Sequence, residues 1–103
     1  MFPGGSGMGK QLQDMQKKLG KLEIDLKERI VEATAGGGMV KVLANGAEEI
    51  VDIKIDEAVI DPEEKSLLED MVLAATSEAI KKAKKLREAE LAKITGMAMP
   101  GLF

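Results

Sequence analysis

The most concentrated chemical feature of this sequence is a run of positive charge between residues 81 and 87. Its members are Lys81, Lys82, Lys84, Lys85 and Arg87, with no acidic side chain among them. Such a run can bind the phosphate groups of a nucleic acid, in a way that depends on salt and not on sequence. It can also be a solvated helix face that keeps the protein soluble, and charge alone favours this second explanation.

No catalytic or metal-binding constellation accompanies this run. The sequence contains no histidine and no cysteine, so the commonest general base, metal ligand and thiolate nucleophile are missing. Its carboxylate clusters, Asp61/Glu63/Glu64 and Glu69/Asp70, are explained by helix capping and solvation. Gly36-Gly37-Gly38 lacks the lysine and hydroxyl side chain of a phosphate-binding loop and predicts a turn between strands. We therefore predict no enzyme activity, no metal, no cofactor and no small-molecule substrate.

Length and composition favour one small soluble domain. With 103 residues, 45% of them hydrophobic, the chain can form a single core of aliphatic side chains and methionine. Its first residues lack the basic and apolar regions of a signal peptide, and no apolar run approaches the roughly 20 residues of a membrane span. We predict a cytoplasmic protein with no membrane partner. The net charge of −3 is unevenly distributed along the chain. Residues 30–62 carry seven acidic and two basic side chains, so the middle of the chain is acidic.

The first predicted element is a helix from about Gly9 to Glu28, after a flexible N-terminus of residues 1–8. Six apolar residues recur at alternating steps of four and three, a heptad pattern typical of packing on another helix. They are Met8, Leu12, Met15, Leu19, Leu22 and Leu26. Four lysines lie off this seam and face solvent, and these are Lys10, Lys17, Lys18 and Lys21. Beside the run at 81–87, they could form a positive ridge.

Three strands follow, predicted at 30–35, 39–44 and 48–55. Asn45-Gly46 predicts a two-residue hairpin loop between the second and third strands. This loop would place Val40 opposite Val51. One face of the sheet is then an apolar core face, made of Val40, Val42, Val51, Ile53 and Ile55. The other face is mixed, and its apolar members Met39, Leu43 and Ile50 indicate a surface for a partner.

The last predicted element is a long helix over Asp61–Ile94, followed by a flexible tail of residues 96–103. Asp61 can cap the first backbone N–H groups, and Pro62 fits the first helical position. Apolar residues cover a wide arc, which fits simultaneous contact with a sheet and with a second helix. Lys81, Lys84 and Lys85 lie together on the opposite arc. The predicted fold class is α+β, in the order α-β-β-β-α, with a three-stranded antiparallel meander and two long flanking helices.

The order of these elements and several short motifs resemble the YbaB/EbfC family of bacterial nucleoid-associated proteins. The motifs are Gly38-Met39-Val40-Lys41-Val42, Asn45-Gly46, Ile53-Lys54-Ile55-Asp56, Leu68-Glu69-Asp70-Met71-Val72, Ala74-Ala75 and Glu78-Ala79. The glycine-rich start, the glutamines and methionines of the first helix, and the Gly/Met/Pro tail ending in Phe103 are similar too. The resemblance covers nearly the whole chain, and its specificity comes from the combination of motifs.

This resemblance implies a homodimer whose helices project from central sheets as a tweezer-like pair that embraces DNA. It implies binding of double-stranded DNA with little sequence specificity, a nucleoid location, and a role in nucleoid organisation and gene regulation. Residues 9–95 would form the single DNA-binding domain. The resemblance carries over no catalytic motif and no invariant set of DNA-contacting residues. The contacts are therefore assigned by charge, first to the five cations at 81–87 and then to the four lysines of the first helix.

Met39, Leu43 and Ile50, on the mixed face of the sheet, are the predicted dimer interface. A second class of function fits the same sequence. In it, the chain is a helical protein-interaction module that binds another protein through its heptad helix and Met-rich tail, and the lysines only solvate the surface. Binding to DNA that weakens as salt is added would separate the first class from the second.

Overall fold

A long C-terminal helix covers one side of a three-stranded sheet. The computed structural model describes residues 5–95, with side chains from residue 9 onward. The elements are α1 (Gly5–Glu28), β1 (Ile30–Ala35), β2 (Val40–Asn45), β3 (Ile50–Ile55), two short 3-10 turns (Glu57–Val59 and Pro62–Glu64) and α2 (Lys65–Thr95). The strands form one antiparallel sheet in the order β1-β2-β3. The predicted α-β-β-β-α fold is confirmed.

Both helices begin close to their predicted positions. α1 starts at Gly5, four residues before the predicted Gly9. Asp61 caps the turn that leads into α2, because its Oδ1 accepts a hydrogen bond of 3.0 Å from the backbone N–H of Glu63. Pro62 occupies the first position of that turn, where its missing N–H leaves no donor unsatisfied. The predicted tail at 96–103 and residues 1–4 of the predicted N-terminal segment lie outside the described residues.

α2 packs on the sheet through a row of mostly small side chains. Its buried residues recur at intervals of four, and they are Met71, Ala75, Ala79 and Ala83. The sheet presents Ala33, Val40, Val42 and Ala44 to them. Because the alanine side chain is a single methyl group, the backbone of α2 can approach the strands closely. Burial of each valine contributes roughly 1.5–3 kcal/mol to the free energy of unfolding.

β3 lies outside this core, which corrects the prediction that Val51, Ile53 and Ile55 would line it. All six residues of β3 are exposed. α2 packs mainly on β1 and β2 and barely touches β3. The reason is geometric, since a helix about 10 Å wide covers roughly two strands spaced about 4.8 Å apart. An apolar strand is therefore left uncovered at the edge of the sheet.

The hairpin loop between β2 and β3 is longer than predicted. Asn45 pairs with Glu49 through a backbone hydrogen bond of 2.9 Å, so the loop has three residues and not two. The Asn45 side chain holds this loop, because its Oδ1 accepts hydrogen bonds from the backbone N–H groups of Ala47 and Glu49. Glu48 takes the left-handed conformation, with φ of 64°, as the last residue of such loops does.

This loop changes the register of the sheet. Val40 lies opposite Ile55, not opposite Val51 as the two-residue loop predicted, and Val51 is left unpaired at a bulge. Leu43 lies opposite Asp52, whereas Ile50 lies opposite the buried Ala44. Because directly paired residues point to the same face, Ile50 is on the α2 side of the sheet and Leu43 is on the other side. The predicted interface residues Leu43 and Ile50 therefore do not share a face.

Gly46 is the point at which α1 attaches to the hairpin. Its backbone N–H donates to the carbonyl oxygen of Leu26 at 2.8 Å and to that of Arg29 at 3.0 Å. A Cβ atom at Gly46 would lie 2.6 Å from Leu26 Cδ2 and 2.9 Å from the Leu26 carbonyl oxygen. The end of α1 can therefore lie this close to the sheet only because the residue is glycine.

We expect Gly46→Ala to lower the free energy of unfolding by about 1–3 kcal/mol, since the added methyl group overlaps backbone that cannot rotate away. Gly20→Ala is the matched control, because a Cβ atom there meets nothing within 4 Å. This control should raise the free energy of unfolding by up to about 1 kcal/mol through helix propensity alone. Urea denaturation measures both. A Gly46→Ala protein as stable as the wild type would contradict the attachment point.

Candidate nucleic-acid interface

The two helices run past the sheet together and form a projecting arm. We define the arm as residues 9–22 of α1 and residues 86–95 of α2. Met15 of α1 and Ile94 of α2 line one shallow cavity, while Leu22 and Leu26 are buried nearer the sheet. The molecule measures 72 × 26 × 16 Å, so its length lies along this pair of helices. An elongated rod of this size can lie against a duplex.

The α2 lysine cluster consists of Lys81, Lys84 and Lys85, which are all exposed. These residues lie opposite Ala79 and Ala83, the part of α2 that packs on the sheet. Among residues 9–95, no hydrogen bond or ion pair engages their ammonium groups. The cluster can therefore bind an anion without breaking an existing contact.

Lys82 belongs to the same run but is directed differently. Its Nζ donates a hydrogen bond of 2.7 Å to the backbone carbonyl oxygen of Glu32, in edge strand β1. That oxygen belongs to a sheet edge, where carbonyl groups lack a neighbouring strand. Lys82 therefore joins α2 to the sheet, and a phosphate would have to compete with this contact.

Arg87 pairs with Glu23 across the two helices. Its Nη1 donates to Glu23 Oε2 at 3.1 Å, and its Nη2 contacts Glu23 Oε1 as well. The arginine side chain is 29% exposed. Two parallel hydrogen bonds between a guanidinium group and a carboxylate are stronger and more directional than a single ion pair. The structure thus separates Arg87 from the lysines with which the sequence grouped it.

A second ionic contact lies near the start of β1. Arg29 Nη1 and Lys93 Nζ each lie 3.0 Å from Glu90 Oε1. The hydrogen bonds from Lys93 and Arg29 lower the pKa of the Glu90 carboxyl group below its ordinary value. Arg29, the only other arginine in the chain, is therefore also engaged with a carboxylate.

Four of the five lysines of α1 lie farther along the arm. Lys10, Lys17 and Lys21 are seven and four residues apart, so they lie on one face of the helix, which we call the α1 lysine row. This face is turned away from the buried Leu22 and Leu26. Lys18 lies to one side and lines the cavity that Met15 and Ile94 share. All four lysines are exposed.

The α1 lysine row and the α2 lysine cluster occupy different levels of the molecule. The α2 cluster flanks Lys82, which contacts β1, and so it lies beside the sheet. The α1 row extends toward the level of Ile94, near the end of α2. The chain therefore presents positive charge at two places along its length.

Negative charge gathers along β3 and toward the end of the molecule at which α2 begins. Residues 48–70 carry ten acidic and two basic side chains, and all ten acidic residues are exposed. This segment includes β3, both 3-10 turns and the start of α2. A polyanion would be repelled by this end and attracted to the arm.

An apolar surface between α2 and β3 was missed from the sequence. The α2–β3 groove has a volume of about 480 Å³. It is lined by Ile55, Leu68, Glu69, Val72, Leu73 and Thr76. Leu73 is 67% exposed. The signal was present in the wide apolar arc of the long helix and in the apolar residues of β3, which were both assigned to the core.

Of the three residues predicted for a dimer interface, only Ile50 lies on the groove side of the sheet. Leu43 lies half-buried on the other side, and Met39, just before β2, is exposed. Within residues 9–95, no group of three or more His, Cys, Asp or Glu side chains is placed to hold a metal ion. No helix in the described part of the chain is long and apolar enough to cross a membrane.

Comparisons with known proteins place these features in context. Residues 2–98 match the YbaB/EbfC DNA-binding family. A nucleoid-associated protein of Thermoanaerobacter sp. (strain X514) is 48% identical over 99% of this chain and 96% of its own. One from Pelotomaculum thermopropionicum is 50% identical over 95% of this chain and 94% of its own. A crystal structure of an uncharacterized protein from Helicobacter pylori superposes with a TM-score of 0.80, at 31% identity, over 88% of this chain and 96% of that one.

Proposed function

The chain belongs to the YbaB/EbfC DNA-binding family, and from this premise we propose that it binds double-stranded DNA as a homodimer with little sequence specificity. The contacts are made between phosphate groups and the exposed lysines of the two helices. The protein acts in nucleoid organisation and gene regulation, and the first of these roles is supported by relatives that are named nucleoid-associated proteins. The observation that carries this proposal is the α2 lysine cluster, whose ammonium groups are exposed and available to an anion.

The low sequence specificity is inferred from the side chains that remain available to contact base edges. The side chains that read base edges through paired hydrogen bonds are arginine and lysine at guanine, and asparagine and glutamine at adenine. Both arginines are engaged with carboxylates, and Asn45, the only asparagine, is buried in the hairpin loop. Exposed glutamines remain on α1, namely Gln11, Gln13 and Gln16. The more directional readers, arginine and asparagine, are thus already engaged, and the exposed lysines can contact phosphate groups, which carry no sequence information.

The homodimer is proposed from the apolar surface beside β3. The α2–β3 groove and the exposed Ile53 and Ile55 form a continuous apolar strip on one protomer. β3 is also an edge strand, with backbone groups free to pair. A stable interface takes about 800 Å² from each partner, which is roughly a tenth of the 7518 Å² surface of this chain. A second copy that covers this strip brings Ile50 into the interface, while Met39 and Leu43 form a further contact surface.

Dimerisation would strengthen weak phosphate contacts. Two arms on one rigid dimer act on one duplex, so the second arm binds at a high effective concentration. The acidic segment at residues 48–70 includes β3 and so lies beside the proposed interface, and it directs the duplex toward the arms by repulsion. A net negative chain can in this way bind a polyanion.

The alternative is a protein-interaction module that does not touch DNA. It is favoured by two exposed apolar residues on α1, Leu12 and Ile24, which a partner helix could cover. In that case the lysines only keep the arm soluble. DNA binding and its salt dependence distinguish the two functions.

We expect the wild-type protein to shift several duplexes of unrelated sequence with similar affinity. A plot of the logarithm of the association constant against the logarithm of the salt concentration should be a falling straight line. Each neutralised phosphate should add about 0.9 to the magnitude of its slope. Fluorescence anisotropy over a salt series measures both. A folded dimer that binds no duplex at low salt contradicts DNA binding and favours the alternative. A strong preference for one unrelated sequence contradicts the low specificity.

A further inference from the structure

Arg87 is the one cation of the run at 81–87 that the structure joins to the other helix. We propose that Arg87 is a positioning residue, which with Glu23 clamps α1 to α2 and thereby holds the α1 lysine row in place for DNA. This inference rests on the proposed DNA binding, and it differs from a direct role of Arg87 in contacting phosphate. The pair joins residues 64 positions apart in sequence, so it constrains the tertiary arrangement and not a single helix.

α1 has few other attachments beyond the sheet. Leu22 and Leu26 are its only buried residues among residues 9–28, and Leu12 is exposed. Met15 and Leu19 are half-buried. The apolar seam thus weakens toward the N-terminal end of the arm. Glu23 lies next to Leu22, the first buried residue of α1 after residue 9. A polar contact at this position therefore has a large effect on the part of the helix that precedes it.

Gly20 lowers the stability of α1 on the N-terminal side of the Glu23–Arg87 contact. Glycine in a helix interior costs about 1 kcal/mol relative to alanine, and a Cβ atom at Gly20 would meet nothing within 4 Å. No packing therefore compensates for the weak residue. Lys10 and Lys17 lie on the far side of Gly20. Their position depends on how firmly the helix is held at Glu23.

The pair also explains why this position is an arginine among lysines. A guanidinium group presents a planar fork that matches both oxygens of a carboxylate, whereas an ammonium group is a point charge. Arg87 uses that fork, with both Nη atoms on the two oxygens of Glu23. Lys81, Lys84 and Lys85 have no such partner among the described residues. Arginine thus occurs where a carboxylate is bound through both oxygens, and lysine occurs at the exposed positions without a partner.

The two roles for Arg87 predict opposite effects of Glu23→Gln. If Arg87 contacts phosphate, Glu23 competes with DNA for it, and E23Q strengthens binding. If Arg87 is a clamp, E23Q releases α1 and weakens binding. Removing any carboxylate from α1 also raises affinity by lowering repulsion. Glu28→Gln, an exposed carboxylate of α1 with no ion pair among the described contacts, is therefore the matched control for charge.

The test measures DNA affinity by anisotropy over a salt series for the single variants E23Q, E28Q, R87Q, R87E and K85Q, the double variant E23Q/R87Q and the charge swap E23R/R87E. We expect E23Q to bind roughly three- to ten-fold more weakly than E28Q, and the double variant to bind no more weakly than R87Q, since coupled residues are not additive. The swap should restore binding relative to R87E. R87Q should leave the slope with salt unchanged, whereas Lys85→Gln should lower its magnitude by about one.

Hydrogen exchange supplies a readout that does not need DNA. The backbone amides of residues 9–22 should exchange faster in E23Q and R87Q than in the wild type, and no faster in E28Q or K85Q. Tighter binding by E23Q than by E28Q, a reduced salt slope in R87Q, or unchanged exchange in α1 would each overturn the clamp. A wild-type protein that binds no DNA would overturn the proposed function, while hydrogen exchange would still decide whether the clamp exists.

Discussion

Reversing the charge of the α2 lysine cluster, in the triple variant Lys81→Glu/Lys84→Glu/Lys85→Glu, is expected to weaken DNA binding on the order of 100-fold at moderate salt. Each lysine that contacts a phosphate contributes about one to the slope of log affinity against log salt. The slope should therefore fall in magnitude by up to about three, and the introduced carboxylates add repulsion. The expected loss should be similar for unrelated duplexes, because these contacts read no bases.

The matched control for this variant is Lys41→Glu/Lys54→Glu/Lys65→Glu. It changes the net charge of the protein by the same amount but alters lysines of the sheet and of the start of α2. The Lys41–Glu32 ion pair that it breaks is exposed, and such pairs contribute little to stability. Equal losses in the two triple variants would show that net charge alone governs binding, and this would contradict a role for the α2 cluster. Circular dichroism establishes that both variants are folded.

Leu73→Glu is expected to convert the dimer into monomers. Leu73 is 67% exposed in the protomer, so the substitution should leave the protomer fold intact. In a dimer that covers the α2–β3 groove, the new carboxylate would be buried without a partner, which is costly. We expect the dimer dissociation constant to rise on the order of 100-fold, as it does for substitutions at the centre of an interface. Sedimentation equilibrium measures it.

Ile24→Glu is the control for Leu73→Glu, since Ile24 is also 67% exposed but lies on α1. It should leave the dimer intact. Monomeric Leu73→Glu should also bind DNA more weakly than the wild type, because it loses the gain in effective concentration from a second arm. A wild-type mass near 11.0 kDa at all concentrations would contradict the dimer. A dimeric Leu73→Glu protein would contradict the groove as its interface.

Much of the architecture could be predicted because its signals are local. The heptad spacing of α1, the triple glycine between β1 and β2, and the Asp61-Pro62 start of the last helix each act within a few residues. The hairpin loop shows the limit of such signals. Asn45-Gly46 correctly indicated a turn, but the Asn45 side chain bonds to Ala47 and Glu49 and extends the loop by one residue. The longer loop, its displacement by one position and the bulge at Val51 together moved the register of β3 by four residues.

The candidate site was predictable as a set of charges but not as a set of contacts. Lys81, Lys84 and Lys85 could be placed on an exposed arc from their spacing alone, and the structure leaves them there. On the helical wheel, Arg87 and Lys82 flank the boundary of that arc, but their contacts could not be predicted from this position. Their partners, Glu23 and the carbonyl oxygen of Glu32, lie 64 and 50 positions away, and no local pattern indicates such a distance.

The sequence by itself determined the order of the elements, the family, the absence of histidine and cysteine chemistry, and the side of each helix on which lysines lie. These properties depend on residue type and on periodicity within one element. Only the tertiary structure decided which cations are engaged with the protein itself and which apolar residues are left uncovered. α2 can cover about two strands of the three, and which strand remains exposed depends on where the helix crosses the sheet. Periodicity specifies which face of an element is apolar, but the packing of distant segments decides what, if anything, covers that face.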